Sequence, residues 1–447
     1  MALCFASMEP LSLPLTLPCG AVLENRLAKG AMTEGLADAN DNATERHETL
    51  YGRWSDGGAG MLLTGNVMVD RRYLERPGNV VIDANGGHDA LRRWAAAGTR
   101  AGNHLWMQIS HPGRQCTRMS SSHPVSPSSE KLEGMMGLMA PPRALEVWEI
   151  EDAIRRFAHV ARTAKETGFT GVQIHSAHGY LASQFLSPRA NRRTDEWGGS
   201  LQNRARFVLE VYKAVRDAVG SDFPVAAKLN SADFQKGGFS KEESVQVARW
   251  LAELGLDLVE ISGGTYEQMA LFGDKGDASE KKAESTRRRE AYFLEYARDM
   301  RAAIDGMPLM ITGGFRTPDL MREVVDSGEV DVIGIARPFC VETDLAKRIL
   351  GGSSEALPTP EKSLRLGPGL LGRASSVRTI RTLNGQAEVA WFYRQIIELS
   401  EGREPLLSLG AWSAMLSHFA REAGIVRRRR FKAQKPLALA SGTESGG

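Results

Sequence analysis

GFTGVQIHSAHGYLASQFLSPRANRRTDEWGG, residues 168–199, is the stretch from which the fold can be read. Gly171 to His175 has the composition of a short buried strand. His175 and His178 follow three positions apart where that strand gives out, and Tyr180 comes two residues later. Two imidazoles and a phenol therefore leave one strand end together. In a barrel of parallel strands that end is where chemistry is placed, because the loops there converge on a common mouth. Taken alone, His-x-x-His also fits half of a zinc site or a pair of structural histidines. A closed zinc site needs further ligands, and no Cys-x-x-Cys accompanies the pair. The cysteines are Cys4, Cys19, Cys116 and Cys340,.

Working outward, seven other short β-rich runs can be found, each followed by a stretch of helical periodicity. The eight predicted strands are Leu27 to Met32, Met61 to Val67, Leu105 to Ser110, Gly171 to His175, Val225 to Leu229, Leu258 to Ser262, Leu309 to Thr312 and Val332 to Ala336. The predicted helices are Thr44 to Asp56, Gly87 to Ala101, Ile150 to Thr167, Leu201 to Val219, Lys241 to Leu254, Arg287 to Ile304, Asp319 to Ser327 and Val341 to Leu350. Strand and helix alternating eight times predicts an α/β protein, a (β/α)8 TIM barrel spanning residues 1–350,. Helix ends agree. Ser240 with Glu243 forms a Ser-x-x-Glu capping box, Thr317 followed by Pro318 suits a helix start, and Gly220, Gly255 and Gly328 stand where helices should stop,.

Two connections exceed ordinary loop length. His111 to Glu149 predicts a long capping loop after strand three, and Gly263 to Lys282 a second wall of the mouth. Past Gly351, Ala387 to Leu399 and Leu409 to Ala423 predict helices of a C-terminal extension, residues 351–426, docked on the barrel or on a partner subunit. Residues 427–447, with Arg427 to Arg430, Lys432 and Lys435, read as a basic, solvated and disordered tail rather than a phosphate-binding or targeting patch,.

Formal net charge is +2, so no global field draws the chain to nucleic acid or membrane,. Four scattered cysteines suit a reducing, cytoplasmic compartment,. Pro10, Pro14 and Pro18 interrupt the apolar start, which argues against a signal peptide,. No apolar run reaches spanning length.

At the end of the barrel, ITGGF and IARPF place Gly313, Gly314, Ala336 and Arg337 in adjacent connections. Glycines let backbone N–H groups approach phosphate oxygens and a guanidinium offers a matching fork, so these loops predict a phosphate site. Glycines serving only tight turns are the alternative.

The stretch quoted first, together with NRLAKGAMT, WMQISHPGR, AAKLNSADF, ITGGFRTP and IGIARPF, resembles the old yellow enzyme family of flavin-dependent ene-reductases, in order from Pro18 to Leu350. The resemblance implies FMN held at the strand C-termini and NAD(P)H as co-substrate. It implies that Gly30, Ala31 and Met32 give backbone contacts to the flavin and that Thr33 hydrogen-bonds its O4. Gln108 would meet the pyrimidine edge, Lys228 the N1 and O2 region, and Asn66 a contact carried over more weakly. A buried lysine with a carboxylate partner is the structural alternative for Lys228. Glu34 and Gly35 depart from the branch that places a tyrosine nearby. The implied reaction is ping-pong reduction of an α,β-unsaturated carbonyl by hydride transfer through flavin N5. His175 and His178 bind the carbonyl oxygen and Tyr180 is the proton donor. The expected partner is a small-molecule enone, within secondary metabolism, and a homo-oligomer is left open. A zinc hydrolase and an idle flavin-binding protein are the competing readings. The related dienoyl-CoA reductases need clustered cysteines that this chain does not have,.

Overall fold

The structure is a computed structural model that describes residues 9–132, 138–233, 237–262 and 296–430. Eight strands close into one barrel: β1 (Leu27–Lys29), β2 (Met61–Met68), β3 (His104–Ser110), β4 (Gly171–Ser176), β5 (Val225–Asn230), β6 (Leu258–Ser262), β7 (Leu309–Thr312) and β8 (Val332–Ile335). All pairs are parallel, and the ring closes where Ile333, Gly334 and Ile335 of β8 meet Leu27, Ala28 and Lys29 of β1. Parallel strands need crossover connections, and the helices supply them: α1 (Glu45–Ser55), α2 (His88–Gly98), α3 (Val147–Glu166), a short α4 (Leu181–Leu186), α5 (Leu201–Val219), α6 (Lys241–Glu253), α7 (Pro318–Asp326) and α8 (Leu345–Leu350),. Residues 296–301 are helical between β6 and β7, and the remainder of that predicted helix up to residue 295 lies outside the described residues. So does the connection predicted from Gly263 to Lys282.

The period of two along each strand sorts the side chains. Ala28, Met61, Leu63, Trp106, Ala226, Leu258, Met310 and Val332 form one apolar cluster inside the barrel. Leu17 and Leu23, from an antiparallel ribbon that pairs Leu15–Thr16 with Val22–Leu23, join it and plug the floor. Their strand neighbours, such as Leu62, Leu105, Val259 and Ile333, belong to the larger cluster between strands and helices. Two residues further along each strand the inward positions turn polar: Gln108, Lys228, Glu260 and Thr312. The apolar floor and polar ceiling are what place a site at the strand C-termini.

The first strand is shorter than predicted. The Gly30 N–H still donates to the Ile335 carbonyl at 2.7 Å, but the chain then leaves the sheet, so residues 30–33 line the mouth instead of the wall. The loop after β3 closes on itself through a two-strand parallel pairing of Val125–Ser126 with Arg143–Ala144. The helix caps match their expected residues. The Ser240 hydroxyl accepts from the Glu243 N–H at 3.2 Å, and Gly220 and Gly255 take left-handed φ values of 80° and 86° that glycine adopts without strain,.

Beyond the barrel, α9 (Arg378–Ser400) packs on α10 (Ala411–Arg430), and α9 rests on α1. Helix α10 corrects the reading of a solvated tail from residue 427. Arg427 to Arg430 are helical, and Arg429 is buried as a fork on Asp41, at 2.8 and 3.0 Å, while donating to the Arg71 carbonyl at 2.8 Å. A bidentate guanidinium pair holds the last turn in place. Among the described residues, no helix is long and apolar enough to cross a membrane.

Candidate active site

His175 lies near the end of β4, opposite Lys228 in register. His178 sits in the turn that follows, at a φ of 59°, a left-handed conformation that a non-glycine residue holds only when its surroundings enforce it,. The enforcement is visible: its N–H donates to the Asn230 side-chain oxygen at 2.9 Å and its carbonyl accepts from Gln115 at 2.6 Å, while its ring Nε2 meets the Ser262 hydroxyl. Tyr180 then caps α4 and is 1% exposed. Its ring stands edge-on to His175 at 4.7 Å, and the two imidazoles stand edge-on to each other at 5.1 Å. Burial first, then the neighbouring His178 and Lys228, hold His175 well below the usual imidazole range. Burial and Lys228 do the same to His178. Both rings are therefore neutral. His175 Nδ1 accepts from the Ala177 N–H at 3.3 Å, which leaves its proton on Nε2,.

A polar chain crosses the barrel just above the floor. Gln108 donates to Gln173 at 2.7 Å, Gln173 donates to Glu260 at 2.6 Å, and Lys228 pairs with Glu260 at 2.8 Å. The carboxylate partner named as the alternative for Lys228 thus exists. Glu260 and Lys228 are both buried, so each holds the other in place, and the chain fixes the amide of Gln108 as well,. Gln173 and Glu260 were not singled out in the sequence. Glu260 carried a signal, since a carboxylate in the middle of the apolar strand LVEIS has to be paired.

The loop after β1 is held from two sides. On its outer side, Glu34 accepts from the Tyr51 hydroxyl and from the Gly65 N–H at 2.7 Å. Lys29 donates to the Leu63 carbonyl at 2.7 Å, lies over the Trp54 ring at 4.2 Å, and is pulled down to about 8 by burial. A Cβ on Gly65 would come within 2.5 Å of the Met32 carbonyl, so this bulge in β2 admits only glycine,. On its inner side, Thr33 donates to Glu75 at 2.8 Å and Asn66 donates to the same carboxylate oxygen at 2.6 Å. Glu75 was also missed, because it lies in a loop with no periodic pattern.

At the other end, Gly313 and Gly314 take φ values of 118° and 88°, and a Cβ on Gly313 would meet only open space. Across the ring closure, a Cβ on Gly30 would touch the Thr312 methyl at 3.0 Å and Ala336 at 3.4 Å, and Cys340 bonds Met32 at 3.5 Å. Gly30 and Ala336 are therefore neighbours across the ring closure. Arg337 opens a 3-10 turn after β8 and donates to Glu388 at 2.7 Å. Among the described residues, the buried polar atoms on the strands that have no partner include Asn66 Oδ1, Ser110 Oγ and Thr312 Oγ1. Buried polar groups are rarely left so. Such atoms ringing a mouth with an open glycine cradle and a guanidinium fit a flat polar cofactor with a phosphate. For zinc the fit is poor. Among the described residues no three histidine, cysteine, aspartate or glutamate side chains converge as ligands.

Comparison with known proteins agrees with this geometry. A model of the NADH:flavin oxidoreductase / NADH oxidase family matches residues 11–355. The chain is 37% identical over 357 residues to an NADH-dependent flavin oxidoreductase, iliE, of Hypocrea jecorina, covering 76% of this chain and 88% of that one. A 2-naphthoyl-CoA reductase in complex with 2-naphthoyl-CoA superimposes with a TM-score of 0.69 at 28% identity, covering 78% of this chain and 54% of the other. An old yellow enzyme homologue from Zymomonas mobilis shares the fold, with a TM-score of 0.64 at 24% identity over 80% of this chain and 97% of that one. The matched family region ends at residue 355, before α9 and α10. The chain belongs to the NADH:flavin oxidoreductase / NADH oxidase family and is an FMN-dependent oxidoreductase that draws its electrons from a nicotinamide.

Proposed function

We propose that this oxidoreductase reduces the activated C=C bond of α,β-unsaturated carbonyl compounds. The observation that carries the reading is the enclosed cluster of two neutral imidazoles and one phenol at the end of β4. Bound FMN supplies a carrier that takes hydride from the nicotinamide and returns it to the alkene in separate half-reactions. Residues of the loops after β1, β2, β7 and β8, with Gln108 and Lys228, hold it. His175 donates from Nε2 to the carbonyl oxygen of the substrate, and His178 supplies a second donor. These bonds draw electron density from the β-carbon and strengthen as enolate charge develops on that oxygen, the logic of an oxyanion hole. Tyr180 gives its proton to the α-carbon, so one hydride and one proton saturate the bond. Lys228, held by Glu260, offers its ammonium at the ring side of the mouth. The NADH dependence of the Hypocrea jecorina relative favours NADH as reductant.

Tyr180→Phe separates the two halves. Stopped-flow reduction by the nicotinamide stays within about twofold of wild type, while enone-driven reoxidation slows by about a hundredfold to ten-thousandfold. Equal losses in both halves would remove Tyr180 from the role.

A further inference from the structure

The segment beyond the matched family region is wired into the end of the cleft where β7 and β8 stop. Helix α9 lays Glu388 and, one turn on, Phe392 against Arg337: the carboxylate accepts from the guanidinium at 2.7 Å and the ring lies 5.8 Å from it. The other Glu388 oxygen holds Arg373 at 2.6 Å. Arg373 also donates to the Glu361 carbonyl, and the Glu361 carboxylate pairs with Arg316 at 3.1 Å. Arg337 Nη2 lies 3.9 Å from the same carboxylate. Three guanidinium groups from three separate segments thus converge on two carboxylates. The side chains of Glu361 and Glu388 are only 12% and 15% exposed, whereas those of Arg337 and Arg373 are 43% and 40% exposed. The carboxylates therefore sit inside and hold the guanidinium groups, while the side chains of Arg337 and Arg373 stay partly open to solvent. Ion pairing for its own sake is a weak reason for such a construction, since half-exposed pairs add little stability. Guanidinium groups held rigid by carboxylates while remaining partly exposed suit phosphate recognition, since each nitrogen carries further N–H donors.

We propose that the C-terminal extension completes the phosphate end of the cofactor site: Arg373 is a phosphate-binding residue supplied from beyond the barrel, and Glu388 is a positioning residue that aims Arg337 and Arg373 together. The ligand is a phosphate monoester dianion, that of FMN. The inference rests on the reading of Arg337 as a phosphate residue given above.

Apoprotein of the full chain, titrated with FMN and with riboflavin and followed by isoalloxazine fluorescence, tests it. The wild type binds FMN more tightly than riboflavin. Arg373→Met lowers FMN affinity by about tenfold to a hundredfold, the range for a charged hydrogen bond, and leaves riboflavin within about twofold. Arg373→Lys recovers part of the loss, and Glu388→Gln shifts FMN affinity in the same direction as Arg373→Met by a smaller factor. An unchanged ratio of the two affinities in Arg373→Met, beside a discriminating wild type, overturns the proposal. So does an equal loss for both flavins, which marks a folding defect, or a rise confined to the KM of the nicotinamide, which assigns the cation to the other phosphate donor. A wild type that fails to distinguish FMN from riboflavin sinks the reading of Arg337 itself.

Discussion

The two ends of the cleft are built on opposite principles. The end at β4 is buried and its reacting side chains are neutral, and they are fixed by backbone: His175 by its place in the sheet, His178 by a left-handed turn clamped by Asn230 and Gln115, Tyr180 by the start of a helix. The end at β7 and β8 is half exposed and fully charged, and its guanidinium groups are fixed by carboxylates from a distant part of the chain. Groups that must meet a reacting atom take their geometry from the rigid scaffold. Groups that grip a charged tail can be assembled from added segments, because a phosphate accepts donors from many directions.

If the extension is part of one cooperative unit with the barrel, cutting one of its buried ties should cost as much as a core lesion. Arg429→Met leaves Asp41 enclosed and unpaired, and denaturant titration should show a loss of about 3–5 kcal/mol. A separate early transition, with the barrel unaffected, would break the comparison by making the helices a dispensable attachment. Next in size, His175→Ala with His178→Ala should weaken enone turnover by about a hundredfold to a thousandfold and abolish the spectral change on binding a phenol. Persistence of that change would show that the imidazoles do not anchor oxygen. Ionic strength should then tell the ends apart. Raising it from about 0.01 M to about 0.1 M shortens the screening length from about 30 Å to about 10 Å, and FMN affinity should fall several-fold while phenol binding stays level. The smallest effect expected is none. Both imidazoles are held below their usual range, so between about pH 6 and pH 8 neither gains a proton, and the alkene half-reaction should be flat there,. A histidine-like inflection near neutrality would mean that the β4 end is wetter than its burial implies.

The strands were legible because a closed parallel barrel imposes an alternation that short apolar runs display, and the quoted stretch carried its site residues within six positions. The first strand was read three residues too long, since Gly30 to Met32 are as apolar as a strand and only the exit of the chain towards the mouth distinguishes them. Thr33, Asn66 and Lys228 were singled out in the sequence, but their partners Glu75 and Glu260 were not, because a pairing is chosen by three-dimensional proximity. Arg337 finds Glu388 across 51 positions, and Arg429 finds Asp41 across 388. Local pattern does not encode such distances. For the same reason a run of four arginines reads as solvated tail when its sequence neighbours alone are considered.

The bond between Asp41 and Arg429 also has a meaning in time. A chain growing at about 5–20 residues per second takes roughly 20–80 s to travel from one partner to the other,. For most of that interval Arg76, whose guanidinium ends stacked on Tyr393 at 3.5 Å and paired with Glu422 at 2.9 Å, lacks its companions too. The mouth of the barrel is thus finished last, and on the ribosome the nascent protein passes through a stage in which the scaffold is complete and the cofactor cleft is still unsealed.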